Sequence, residues 1–183
     1  MKNLILVALI LASQASPAQK IVSVKSKTTF FSSAVLEDIT ATTTKGKSVI
    51  NLLNGEIAFS IPINSFKFAK SLMQEHFNEK YMESEKFPKA TFLGRINNWE
   101  HKKSLPEAVA TGNLMIHGVS KQFSTKGAVI FKKDKLIIEA KFNIRLEDFG
   151  VEVPSIMFQK IAEEVEITVT YEYPIYENVS IEK

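Results

Sequence analysis

The chain has 183 residues, a length that fits one domain. With 45% hydrophobic and 23% charged residues it is not a disordered polymer, and a formal charge of +3 is too small to direct it to nucleic acid or an anionic membrane surface. Cysteine is absent, which excludes thiol nucleophiles, thiolate metal sites, disulfides and a cysteine-linked lipid anchor. Thirteen Phe against one Trp and four Tyr supply a large apolar volume, either as core or as the lining of a cavity.

The first residues have the three-part layout of a secretory signal peptide. Lys2 gives a positive start, Leu4 to Ala12 is an unbroken apolar run, and Ser13 to Gln19 is small and polar. The run is about half of the ~20 residues that span a bilayer. Ser16-Pro17-Ala18 fits small-x-small cleavage, with Ala15 as a second site. The expectation is a signal peptide over 1–18, a mature domain over 19–183, and a periplasmic or secreted location. No later segment is long and apolar enough to be an integral membrane helix.

Period-two alternation dominates the rest. Short strands are expected around Val22–Ser26, Ile39–Thr43 and Val49–Leu53. The run Ile57–Ile63 alternates until Pro62, which lacks a ladder donor and marks an edge or an end. Phe66 to Met82 carries Ala69, Leu72, Met73, His76, Phe77 and Tyr81 near helical spacing, with Ser65 placed to cap it. This predicts one helix. Strands follow around Ala90–Ile96, Val109–His117 and Phe123–Phe131, with Asn97 to Glu107 as a polar loop. In Leu136 to Leu146 the even positions are apolar, and Val165 to Tyr173 alternates with Glu166, Thr168, Thr170 and Glu172. A short helical turn is expected over Phe158 to Glu164 and a loose tail from Val179. Lys45-Gly46-Lys47, Asn54-Gly55, His117-Gly118 and Lys132–Lys135 are turn signals. About nine half-wet strands and one helical insertion predict an all-β, antiparallel, closed barrel of about eight strands. That size holds one small ligand.

Catalytic patterns are absent. There is no Gly-x-Ser-x-Gly, no phosphate-cradling glycine loop and no His-Glu-x-x-His. Asp148-Phe149-Gly150 matches a kinase triplet in letters only and reads as a turn after a strand. The best metal candidate is His76 with Glu79, near Glu75 and Glu83, but His101 and His117 have no reason to converge on it. A structural role for these histidines is the stronger reading, and neither metal nor cofactor is expected. Asn178-Val179-Ser180 is a glycosylation triplet of the kind common by chance. For any one strand, the Phe and Ile faces read as plain core.

From Ile57 onward the chain resembles the YceI-like family of bacterial polyisoprenoid-binding proteins. The resemblance is carried by Ile57–Ile63, His76-Phe77-Asn78-Glu79, Glu85–Phe92, the hairpin Gly112–Lys121, Asp148-Phe149-Gly150-Val151, Pro154-Ser155 and Glu164–Ile167. Order and spacing over about 110 residues make it specific. The early part departs from the family: Thr28-Thr29-Phe30-Phe31-Ser32-Ser33 stands where members carry a His-Ser pair. The resemblance implies a lipocalin-like barrel holding a long apolar molecule, a polyisoprenoid or isoprenoid quinone, without catalysis. Its candidate lining is Phe59, Ile61, Phe92, Leu114, Ile116, Phe142, Ile144 and Val169, with Met73, Phe77 and Tyr81 closing one end. His76, His117 and Arg145 are the candidate head-group contacts. Two rivals stand beside it: an envelope interaction or stress-related module with a solid core and no ligand, and an enzyme using His76 or His117 on a bound lipid. A homodimer is compatible with either binding reading.

Overall fold

A computed structural model of the chain describes residues 20–33, 38–152 and 162–175. The signal-peptide segment, most of the turn expected over 158–164, the glycosylation triplet and the tail lie outside them. Eleven antiparallel strands form one sheet: β1 (Lys20–Val22), β2 (Lys25–Ser32), β3 (Ile39–Thr43), β4 (Lys47–Asn51), β5 (Glu56–Pro62), β6 (Lys67–Phe68), β7 (Lys89–Ile96), β8 (Leu105–Ile116), β9 (Val119–Phe131), β10 (Lys135–Arg145) and β11 (Glu164–Pro174). Their order is β1-β4-β5-β7-β8-β9-β10-β11-β2-β3-β6.

This corrects the expected closed barrel of about eight strands. The sheet is a half-barrel whose end strands, β1 and β6, do not pair with each other. The higher count has local causes. One extended run breaks at Ser23-Val24 into β1, paired with β4, and β2, paired with β11. At the break the Ser23 N–H donates to the Ser48 carbonyl and the Val24 N–H to the Glu172 carbonyl, each at 2.8 Å. β6 is a two-residue addition on β3.

The predicted helix is the second correction. Its first residues are not helical, because Phe66 and Phe68, two apart, both turn inward, which only extended backbone allows. Ser65 lies in a 3-10 turn, where its hydroxyl donates to the Pro62 carbonyl at 2.6 Å. The helix α1 runs over Ser71–His76 alone and then widens into a π turn, Phe77–Tyr81. No residue of α1 is buried and no side chain caps it. A six-residue helix has almost no stability of its own, so the packing of Phe77 and Tyr81 holds it.

β8 begins inside the expected loop. A bulge between Leu105 and Ala108 accommodates Pro106, which cannot complete a ladder. Pro62 ends β5 beyond the last β4 partner, Ser60 opposite Lys47, so its missing N–H breaks no bond on that side. His117 and Gly118 take positive φ, 51° and 76°, as a two-residue hairpin turn demands.

The inward residues form two packed layers. The lower holds Ile50, Leu52, Leu136, Val129, Tyr171 and Tyr173, all at or below 1% exposure. Tyr173 donates to the Ser48 hydroxyl at 2.6 Å, and Ser48 donates to the Ala58 carbonyl at 2.8 Å, so this buried polar chain is satisfied. Burial raises the Tyr171 phenol above its ordinary value and the Tyr173 phenol well above it, which keeps both neutral. The upper layer gathers Phe30, Ile63, Phe66, Phe77, Ile144 and Phe149.

His101 sits at the foot of the sheet, edge-on to Phe131 at 6.0 Å, with both ring nitrogens buried and unpartnered. Burial, then the Lys102 charge, lowers its pKa from the ordinary 6.5. The unfolded chain therefore binds the proton first, and stability falls as pH drops below 6.5 toward the folded value. Urea unfolding at pH 7.5 and 5 is expected to show a smaller acid loss in His101→Phe than in wild type.

Candidate apolar binding cavity

A cavity of about 450 Å³ lies between the two layers. Its walls follow from strand register. Phe59, Phe92 and Leu114 face one another across β5, β7 and β8. Phe142, Ile167 and Phe30 do the same across β10, β11 and β2. The lower layer forms the floor, where Tyr171 meets Phe59 edge-on at 4.8 Å. The roof is an aromatic plug: Phe77 touches Phe30, Phe66 and Phe68 at 6.0, 5.7 and 4.9 Å.

Few wall residues are polar. Thr28, Thr91 and Thr125 bring hydroxyls, and Lys70, His76 and Tyr81 are the titratable side chains among the described residues lining it. Thr28 is 1% exposed and shares a hydrogen bond of 3.3 Å with the Tyr171 phenol, so its hydroxyl is already engaged. Burial raises the Tyr81 phenol, which stays neutral. Among the described residues no three His, Asp or Glu side chains converge as a metal site would need. What such a space does chemically is exclude water from an apolar surface.

The YceI-like domain model matches residues 17–173. The chain belongs to the YceI-like family. Its fold is similar to a polyisoprenoid binding domain from Saccharophagus degradans, with TM-score 0.71, 14% identity, and coverage of 87% of this chain and 99% of that one. It is also similar to Burkholderia cenocepacia BcnA, with TM-score 0.69, 17% identity, and coverage of 80% and 95%. A Campylobacter jejuni YCEI protein matches at TM-score 0.55 and 18% identity over 97% of this chain and 100% of that one. At such identities these are likenesses of fold. No curated protein matches the chain.

Within this YceI-like domain all ten sequence-selected apolar residues lie on the cavity wall: Phe59, Ile61, Met73, Phe77, Phe92, Leu114, Ile116, Phe142, Ile144 and Val169. Tyr81 lies there too. His76 also lines it, at the α1 end. His117 and Arg145 do not. The His117 ring stacks edge-on against Phe87 at 4.4 Å and sets its Nε2 2.9 Å from Glu83 Oε2. It ties the segment after the π turn to the β8–β9 hairpin. Arg145 points outward to Glu147 and Glu164 at 3.4 and 3.5 Å.

Sequence reasoning passed over Thr28, Phe30, Phe123, Thr125 and Ile167, which also line the space. The signal for Ile167 was present, since it shares a face with Val169. Thr28 and Phe30 were hidden because their stretch reads as a departure from the family pattern, although Thr28, Phe30 and Ser32 alternate inward.

Proposed function

We propose that this domain is an exported, non-catalytic carrier that holds one apolar molecule, an isoprenoid chain of a polyisoprenoid or isoprenoid quinone, in the cavity between its two packed layers. The observation that supports it is a space of about 450 Å³ walled mainly by Phe, Ile, Leu, Met, Val and Ala. That volume falls in the range of sites that bury most of a small ligand. Each buried methylene contributes about 0.8 kcal/mol. A tail of about fifteen carbons gains about 12 kcal/mol, against about 4–15 kcal/mol for lost freedom on association. Chain length therefore sets affinity, and no specific polar contact is required. Lys70 and His76, both on the wall beside α1, are the groups a polar head would meet.

The name of the Saccharophagus degradans neighbour agrees with this ligand class. An interaction module with a solid core is the weaker reading, because its interior would be filled. The apolar run Leu4–Ala12 behind Lys2 supports export. Solvent extraction and mass spectrometry of natively purified protein test the proposal. An isoprenoid or related lipid, close to one per chain, is the expected product. Repeated recovery of no lipid, with a filled interior in a crystal structure, would contradict it.

A further inference from the structure

Besides its unpaired ends, β1 and β6, the sheet is open along one internal seam. β9 and β10 are joined by a hairpin, yet their ladder covers only Phe131 to Gly127 against Leu136 to Ala140. Above it the strands part. β9 stays paired with β8 up to Val119 opposite Ile116. β10 stays paired with β11 up to Arg145 opposite Glu164. Each strand is therefore regular, and only the boundary between them lacks backbone hydrogen bonds. Gly127 is the last paired residue of β9 on this side, and an added Cβ there would meet the Glu139 carbonyl oxygen at 2.4 Å.

Among the described residues, side chains close the gap. Phe123 from β9 meets Phe142 from β10 edge-on, centroids 5.1 Å apart. Both line the cavity, as do Thr125 and Ala140, so the cavity reaches the seam. At the rim, Lys121 of β9 reaches Asp148, just past β10, at 2.6 Å. That pair is about half exposed, at 43% and 49%. A paired sheet bars an apolar molecule with a continuous row of hydrogen bonds. Here a ring contact and one ion pair stand in its place. Rotamer changes at a ring contact are fast, whereas opening a ladder is local unfolding.

We propose that the β9–β10 seam is the port through which apolar cargo passes, with Phe123 and Phe142 as its gate and Lys121–Asp148 as its clasp. The proposal rests on the carrier reading above. The competing passage is on the α1 side, beside Leu72, which lines the cavity and is 59% exposed; a change at the Lys121–Asp148 pair would leave that route untouched.

Stopped-flow exchange of the neutral fluorophore N-phenyl-1-naphthylamine with the full mature chain tests it. Asp148 does not line the cavity, so Asp148→Asn should speed association and release together, by about two- to fivefold, and leave Kd unchanged. High salt should speed wild type toward the variant and leave the variant unmoved. The exchange Lys121→Asp with Asp148→Lys should restore slow exchange. Hydrogen exchange of wild type gives a second readout. The seam-facing amides of 121–126 and 141–145 should exchange faster than those of 127–131. Equal protection across the seam, or wild-type probe rates in Asp148→Asn, overturns the port alone. Failure of wild type to bind the probe overturns the carrier reading, and the port with it.

Discussion

Ala110→Phe is expected to abolish binding of a neutral apolar fluorophore while leaving thermal stability unchanged or slightly raised. Ala110 lies on β8 opposite Ile96 and Thr125, and its methyl group lines the cavity. In a filled interior, adding a ring costs about 1–3 kcal/mol through off-rotamer packing. In an empty apolar space the same ring buries its own surface and takes the ligand's place. The two outcomes have opposite signs, which makes the variant decisive. Calorimetry and a fluorescence titration on the same sample check it. Loss of several degrees in midpoint with binding retained would show that the space is occupied by the protein itself.

Gly112→Ala is expected to do the reverse and unfold the domain more easily, by about 3 kcal/mol. Gly94 and Gly112 face each other in the register of β7 and β8. An added Cβ on Gly112 would stand 2.3 Å from the Leu93 carbonyl oxygen and 2.5 Å from the Gly94 Cα. Those obstacles are backbone in a paired strand, so no rotamer change relieves them. The absence of a side chain at Gly94 also leaves the space over which the Phe92 ring leans, 2.6 Å from where a Cβ would be. Gly94 thus leaves room for the ring of Phe92, which lines the cavity. Urea unfolding measures the loss. A midpoint within error of wild type would show that the two strands can separate and that the close approach is not required.

The inner face was legible in the sequence because the strands keep strict alternation and one face is apolar. Phe142, Ile144, Phe92 and Leu114 could be placed from parity alone, and a single bulge at Leu105–Ala108 falls outside their stretch. Whether that face surrounded a core or a space was not legible, since volume depends on how far opposite walls stand apart. The helix was misjudged for a related reason. Phe66, Ala69, Met73 and Phe77 satisfy a helical period, but Phe66 and Phe68 also satisfy a strand period, and pairing of Phe68 with Ala41 decided between them. Strand count failed where tertiary contacts broke a run, at Ser23-Val24. His117 was misplaced because its partner, Glu83, lies 34 residues away, and no local pattern reports such a contact. The parting of β9 from β10 left no mark either, because both strands alternate normally through it.

The most direct test is a titration of delipidated protein with N-phenyl-1-naphthylamine, followed by competition with a polyisoprenoid alcohol. The account predicts saturable binding of one probe per chain, displaced by the isoprenoid and lost in Ala110→Phe. Absence of saturable binding, or binding that the isoprenoid does not displace and Ala110→Phe does not affect, would contradict it.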